Sequence, residues 1–203
     1  MQVVLASANP GKLRELAALL APLGWELRAQ SALGVEPAEE SGATFAANAL
    51  IKARHAARAT GLPALADDSG IEVDALGGRP GVHSARYAGA RASDRENLDK
   101  LLAELEGVPA ERRTARYRCV IAYVARADDP QPLLGEGCWE GRIAAVPRGT
   151  GGFGYDPIFL PNGLERTAAE LAPAEKDRAS HRGKALAAFL EQVRRGAATD
   201  KPR

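Results

Sequence analysis

Aromatic side chains and excess charge are both scarce in this sequence of 203 residues. Aromatic residues make up 5% of the chain, and the net charge at pH 7 is +1. A protein that binds nucleic acid or an anionic membrane through its overall field needs a surplus of basic charge, and single-strand binding also needs stacking rings. The composition therefore disfavours a nucleic-acid-binding module, and we expect neither nucleic acid nor membrane as a partner.

Cysteine is also scarce, and long apolar runs are missing. Cys119 and Cys138 form no CxxC pair and no metal-ligand spacing, which suits a reducing compartment, and Cys119 lies in an apolar run that predicts a core position. The opening "MQVVLASANPGK" lacks the basic segment and the apolar length of a signal peptide or membrane anchor. These features predict a cytoplasmic protein.

Apolar periodicity predicts an α/β fold with a long mixed sheet flanked by helices. "PALADDSGIEVDAL" is interpreted as strand, turn, strand, and Ser93 and Glu96 have capping-box spacing at the start of a helix. A single domain is expected over 1–196, with a disordered tail over 197–203. The other predicted elements are strands at "QVVLA", "WELRA", 116–126 and 133–146, and helices over 44–60 and about 181–195.

The stretch "GTGGFGYDPIF", Gly149 to Phe159, has the spacing G-x-G-x-x-G. A dinucleotide fingerprint needs a helix at its last glycine, but the following prolines predict a short extended segment, so we reject that interpretation. Glycines also allow close backbone approach to a ligand. Phe153, Tyr155 and Asp156 suit a nucleobase, with a ring for stacking and a carboxylate for its edge. On these residues alone, a tight turn with Phe153 in the core is the favoured alternative.

Acidic residues occur in two separate segments. Asp67 and Asp68 are adjacent on a predicted strand, so their side chains point to opposite faces. One is then free to act as a metal ligand or base, while the other fixes the turn. Glu39 and Glu40 lie in an acidic loop. On composition alone, the simpler interpretation is that this loop is only solvated. Carboxylates from two segments match the few protein ligands that Mg²⁺ takes.

Basic groups occur at two predicted helix starts. "SANPGK", Ser7 to Lys12, lies between a strand and a helix, where backbone N–H groups bind anions, but it is not a Walker A loop. Lys176, His181 and Arg182 offer donors for an anion or a carbonyl-rich base edge, although His181 can equally be a surface helix residue. His55 and His83 are treated as structural.

Taken in order along the chain, these motifs resemble the inosine/xanthosine triphosphate pyrophosphatases. These enzymes hydrolyse ITP, dITP and XTP to the nucleoside monophosphate and pyrophosphate, which keeps deaminated purines out of DNA and RNA. The resemblance implies two lobes around a central cleft, a homodimer and dependence on Mg²⁺. The matching segments are "SANPGK", "AEESGATF", "NALIKA", "ADDSGIEVDALGGRPGVHSARYAG", "GTGGFGYDPIF", "TAAEL" and "SHRGKAL".

The resemblance also implies roles for individual residues. Asp68 is the expected proton acceptor and metal ligand, Ser69 lies beside it, and Glu39 or Glu40 gives the metal a further carboxylate. The triphosphate is expected to contact Ser7, Ala8, Asn9, Pro10, Gly11, Lys12 and Lys52. The base is expected to contact Phe153, Gly154, Tyr155, Asp156, Lys176, His181 and Arg182.

Two positions depart from the family's usual pattern. Ala8 stands where glycine is usual, which affects backbone approach to the phosphates. Ala47 stands where glutamate is usual, three residues after Thr44, so the start of that helix loses half of a capping box.

Two other function classes compete with this interpretation. A nucleotide pyrophosphatase of the septum-formation type has a similar fold but acts on other nucleotides, and its motifs match this sequence less well. A catalytically silent nucleotide sensor is the alternative from a different class, and the intact Asp67–Asp68 pair counts against it.

Overall fold

The computed structural model of the chain describes residues 1–7, 16–17, 20–21 and 24–199. Within these ranges six strands form one sheet, in the order β2-β1-β3-β4-β5-β6. Strand β1 pairs in parallel with β2 and β3, whereas β5 and β6 pair antiparallel, so the predicted mixed sheet is confirmed. The bounds are β1 Gln2–Leu5, β2 Glu26–Ala29, β3 Ala64–Val73, β4 Thr114–Val124, β5 Leu133–Ile143 and β6 Phe159–Pro161.

Four α-helices lie wholly within the described ranges: α1 Phe45–Thr60, α2 Asp94–Glu104, α3 Pro173–Ala179 and α4 His181–Thr199. Helix α4 thus continues beyond its predicted end at Arg195. Residues 200–203 lie outside the described residues, so the disordered tail stays a prediction. None of the helices in the described part of the chain is long and apolar enough to cross a membrane.

The starts of α1 and α2 follow from their capping residues. Thr44 Oγ1 accepts a hydrogen bond from the Ala47 N–H at 3.1 Å, so α1 has a side-chain cap but no reciprocal glutamate. Ser93 and Glu96 form the complete capping box that their spacing predicts. These two caps fix where each helix begins.

Strand β3 corrects the sequence interpretation. The segment read as strand, turn, strand is one continuous strand of 10 residues, and Asp67 and Asp68 lie in its middle with exposures of 4% and 7%. Aspartate favours turns when its side chain bonds to nearby backbone. Here Asp68 bonds instead to Lys52 of α1, so the acidic pair does not break the strand, and Asp67 does not fix a turn.

Contacts divide the chain into two compact units. Unit 1 comprises residues 1–68, 120–135 and 187–203, and it contains the partly buried Trp25, whose ring lies 4.9 Å from that of Tyr123. Unit 2 comprises residues 69–119 and 136–186, and its core includes Trp139, packed 5.3 Å from the ring of Phe159. Cys119 is fully buried, as predicted.

Replacing Thr44 by alanine should lower the free energy of unfolding by about 1 kcal/mol, because the Ala47 N–H loses its partner. Urea denaturation followed by circular dichroism measures the change. Thr44→Ser keeps the accepting oxygen and should cost less than about 0.5 kcal/mol. Equal losses in the two variants would mean that the hydrogen bond is not what stabilises the start of α1.

Candidate functional site

Unit 1 contains a partly buried group of charges, here called the acidic cluster: Glu40, Lys52 and Asp68. Lys52, on α1, donates to Glu40 Oε1 and to Asp68 Oδ1, each at 2.8 Å. The Lys52 side chain is 15% exposed and that of Asp68 is 9% exposed. The structure therefore brings together a loop, a helix and a strand that the sequence suggested separately.

The loop that carries Glu40 is tied to helix α1 by Asn48. Asn48 is fully buried, and its Oδ1 accepts a hydrogen bond from the Gly42 N–H at 2.8 Å. A Cβ atom at Gly42 would lie 2.7 Å from that same oxygen, so only glycine leaves room for this contact. Asn48 lies one turn before Lys52, and the loop is thereby held beside the acidic cluster.

The electrostatics of the acidic cluster are set by burial and by Lys52. Burial raises the pKa of Asp68, and the charge and hydrogen bond of Lys52 limit that rise. Burial alone would lower the pKa of Lys52, but the charge of Asp68 and the hydrogen bonds that Lys52 donates to Asp68 and Glu40 outweigh burial and raise it. Lys52 therefore stays protonated and keeps two carboxylates close together.

A cavity of about 210 Å³ adjoins the acidic cluster within unit 1. Ser7, the first residue of the predicted phosphate loop, contributes to its lining. The rest of that loop, Ala8 to Lys12, lies outside the described residues. Glu39 is exposed, whereas Glu40 lines the cavity. The lining residues are Ala6, Ser7, Gln30, Pro37, Ala38, Glu40, Lys52 and Asp67.

Unit 2 contains a second group, here called the base cluster: Phe153, Asp156, Lys176, His181 and Arg182. Asp156 is 2% exposed and accepts hydrogen bonds from the Phe153 N–H at 2.8 Å and from Lys176 Nζ at 2.5 Å. The Phe153 ring is 53% exposed, so the alternative that places it in the core is wrong. Lys176 Nζ and Arg182 Cζ lie 4.8 Å and 5.4 Å from the centroid of that ring.

The glycine loop owes its shape to Asp156, not to a dinucleotide. Gly152 has a φ of +73°, and a Cβ atom there would lie 2.0 Å from Asp156 Oδ2. The Gly154 N–H donates to Asp94 Oδ2 at 2.7 Å. A 3-10 turn and strand β6 follow, rather than a helix. The prediction that no helix opens at the last glycine of this motif is confirmed.

Two members of the predicted base site are more buried than the sequence suggested. Tyr155 is 4% exposed, and its hydroxyl donates to the Ser84 carbonyl at 2.8 Å, so the exposed ring of this loop is Phe153. His181, the first residue of α4, is 5% exposed, so the surface alternative is wrong. Ser69, beside Asp68 on β3, is partly exposed.

Sequence reasoning missed three residues at these clusters. Gln30 is 4% exposed and lines the cavity, and Asn48 anchors the acidic loop. Tyr117 on β4 lies against His181, with ring centroids 4.6 Å apart. Two sequence patterns could have pointed to them: Asn48 is a polar residue on the buried face of a helix, and Tyr117 lies at an inward position of an alternating strand. No local pattern singled out Gln30.

The carboxylate oxygens of the acidic cluster are few, which suits Mg²⁺ better than a metal that is coordinated by protein side chains alone. In the described ranges no three His, Cys, Asp or Glu side chains converge to hold a metal. Asp68 Oδ2 is buried and has no hydrogen-bond partner among the described residues. Mg²⁺ is usually bound through one or two carboxylates, with water and substrate phosphates completing its shell.

Comparison with known proteins gives one consistent result. The model of the Ham1 family matches residues 3–192. The dITP/XTP pyrophosphatase of Methylococcus capsulatus is 60% identical over 193 residues, which cover 95% of this chain and 96% of that protein. The dITP/XTP pyrophosphatase of Escherichia coli O157:H7 is 55% identical over 195 residues, covering 96% and 99%. A solved HAM1 protein from Coxiella burnetii gives a TM-score of 0.91 at 50% identity, covering 97% and 99%.

Replacing Lys52 by methionine should lower the free energy of unfolding by about 3 kcal/mol, because it leaves a buried carboxylate without its partner. Adding Asp68→Asn should recover much of that loss, since a neutral amide needs no counter-charge. Urea denaturation of the two single variants and the double variant gives the coupling energy. Simply additive losses would show that the ion pair contributes nothing of its own.

Proposed function

Because the chain belongs to the Ham1 family, we propose that it is a nucleoside triphosphate pyrophosphohydrolase acting on dITP, ITP and XTP. The products are the nucleoside monophosphate and pyrophosphate, so the enzyme removes deaminated purines from the nucleotide pool. The observation that carries the proposal is the buried contact of Lys52 with Asp68 and Glu40, beside a cavity that Ser7 lines.

The acidic cluster is proposed to perform the hydrolysis. A water oxygen attacks the α-phosphorus, the bond from that phosphorus to the bridging oxygen breaks, and pyrophosphate leaves with the electron pair. Lys52 occupies Asp68 Oδ1, so Oδ2 is the oxygen left to accept the proton of the water. Lys52, together with Lys12 of the phosphate loop, offsets the negative charge that develops on the leaving group.

Mg²⁺ is the proposed metal, with Asp68 and Glu40 as its protein ligands. The burial of Asp68 and its partnerless Oδ2 support this choice, and the exposed Glu39 is the weaker of the two glutamate candidates. When bound, the ion neutralises phosphate charge and lowers the pKa of a coordinated water. Lys52 fixes both carboxylates before any ligand arrives.

The base cluster is proposed to select the purine. Hypoxanthine and xanthine present a 6-keto acceptor, whereas adenine presents a 6-amino donor at the same place. Lys176, His181 and Arg182 offer donors, so adenine would leave donors facing donors. Phe153 supplies the exposed ring on which the base stacks, and Asp156 orients both Phe153 and Lys176 through its hydrogen bonds.

We further propose that the active form is a cytoplasmic homodimer. The motifs shared with the inosine/xanthosine triphosphate pyrophosphatases support the dimer. Light scattering of the purified chain measures the oligomeric state directly.

Replacing Asp68 by asparagine should reduce pyrophosphate release from ITP by at least about 10³-fold while the circular dichroism spectrum is retained, because the amide accepts no proton. Asp74→Asn is the matched control, since Asp74 directly follows the same strand and pairs with Arg116. The control should keep near-normal turnover. A near-normal rate for Asp68→Asn would exclude Asp68 as the proton acceptor.

A panel of ITP, dITP, XTP, GTP, ATP and dTTP should separate the proposed function from its competitors. Polar mismatch in a buried site can reject a substrate by about 10⁴-fold, so ATP should react far more slowly than ITP. Chelation of divalent cations should stop the reaction. Preferential cleavage of a nucleotide other than ITP, dITP and XTP would favour the septum-formation type, and nucleotide binding without turnover would favour the sensor.

A further inference from the structure

Tyr117 lies beneath the base cluster in an arrangement that differs from the other ring contacts. Its ring and the imidazole of His181 are 4.6 Å apart with an interplanar angle of 7°. The other ring pairs of the described residues are tilted or edge-on. Aromatic pairs prefer edge-to-face and offset-stacked arrangements, and nearly parallel rings with centroids 4.6 Å apart correspond to an offset stack. The parallel face of Tyr117 therefore fixes the plane of the His181 ring.

Tyr117 is itself held rigidly. It is 7% exposed, and the Phe159 ring packs edge-on against it at 4.7 Å. Burial, and then the charge and hydrogen bond of Asp156, raise the pKa of the Tyr117 hydroxyl well above its usual value. The hydroxyl thus stays protonated beside Asp156.

The backbone of His181 is fixed from another side. A Cβ atom at Gly137 of β5 would lie 2.0 Å from the His181 carbonyl oxygen, so the strand approaches the start of α4 as closely as glycine permits. This contact holds the backbone at His181, and the flat face of Tyr117 lies against the imidazole ring of the same residue.

We propose that Tyr117 is a positioning residue for purine recognition, whose flat face orients the His181 imidazole toward the 6-keto edge of the base. The proposal rests on the proposed function and adds a residue that does not itself contact the substrate. The ring face carries the effect, because it is the part of Tyr117 that contacts the imidazole.

Steady-state kinetics on ITP test this role with three variants. Tyr117→Met fills volume with a flexible side chain but offers no flat face. It should raise KM about 10-fold, the equivalent of one lost hydrogen bond, with kcat changed less than about 3-fold. Tyr117→Phe keeps the face and should keep KM within about 2-fold of wild type. Trp139→Met is the matched control, since Trp139 shares the same core but packs on Phe159 instead.

A double-mutant cycle separates positioning from general packing. If Tyr117 acts through His181, then Tyr117→Met should add less than about 2-fold to KM in a His181→Ala background. Independent, multiplicative effects overturn the proposal. An unchanged KM in Tyr117→Met, or an equal rise in Trp139→Met, overturns it as well.

Nuclear magnetic resonance gives a readout that needs no destabilised variant. In wild type and Tyr117→Phe, the ring current of residue 117 should shift the His181 imidazole signals upfield, and IMP should move them further. The proposal is contradicted if the His181 signals show no upfield shift, or if adding IMP leaves them unchanged. Failure of the proposed function is seen separately, as a wild-type enzyme that releases no pyrophosphate from ITP, dITP or XTP; that result removes the inference too.

Discussion

The ion pair between Asp68 and Lys52 is the contact on which the acidic cluster depends. Moving either charge out of water alone is costly, and the two are tolerable in the interior because each supplies the other's counter-charge. Glu40 shares the same ammonium group, so the cluster holds two carboxylates against one lysine. A surplus of negative charge repels a triphosphate. Phosphate binding at this place therefore requires added positive charge, which explains why a divalent cation and a lysine-bearing loop belong to the same proposal.

The base cluster also contains a buried aspartate paired with a lysine, but here the surplus charge is positive. Asp156 is even more deeply buried than Asp68, and Lys176 neutralises it. Arg182 then adds positive charge against the face of Phe153. An exposed ring flanked by cations attracts electron-rich, oxygen-bearing partners. The two buried aspartates thus differ in their contacts: Asp68 keeps one oxygen without a hydrogen-bond partner among the described residues, whereas Asp156 Oδ2 accepts hydrogen bonds from the glycine loop and from Lys176.

The sequence predicted helices more reliably than the environment of polar residues. Thr44 and Ser93 mark the starts of helices, because each accepts a hydrogen bond from a backbone N–H that lies within four residues in the sequence. The run Asp67–Asp68–Ser69 misled because turn preference assumes that these side chains bond locally, and Lys52 is distant in sequence. The alternatives that placed His181 at the surface and Phe153 in the core are wrong. His181 lies against Tyr117, which is distant in sequence, so local spacing does not reveal the burial of this histidine.

The distribution of tryptophan has a practical consequence. The chain contains two tryptophans, and they lie in different units: Trp25 is partly buried against Tyr123 in unit 1, and Trp139 is buried in the core of unit 2. Each therefore acts as an intrinsic fluorophore for one unit alone. With one indole replaced by phenylalanine, the emission of the other follows the melting of its own unit, and comparison of the two curves reveals whether the halves of this chain lose their structure in one cooperative step or in succession.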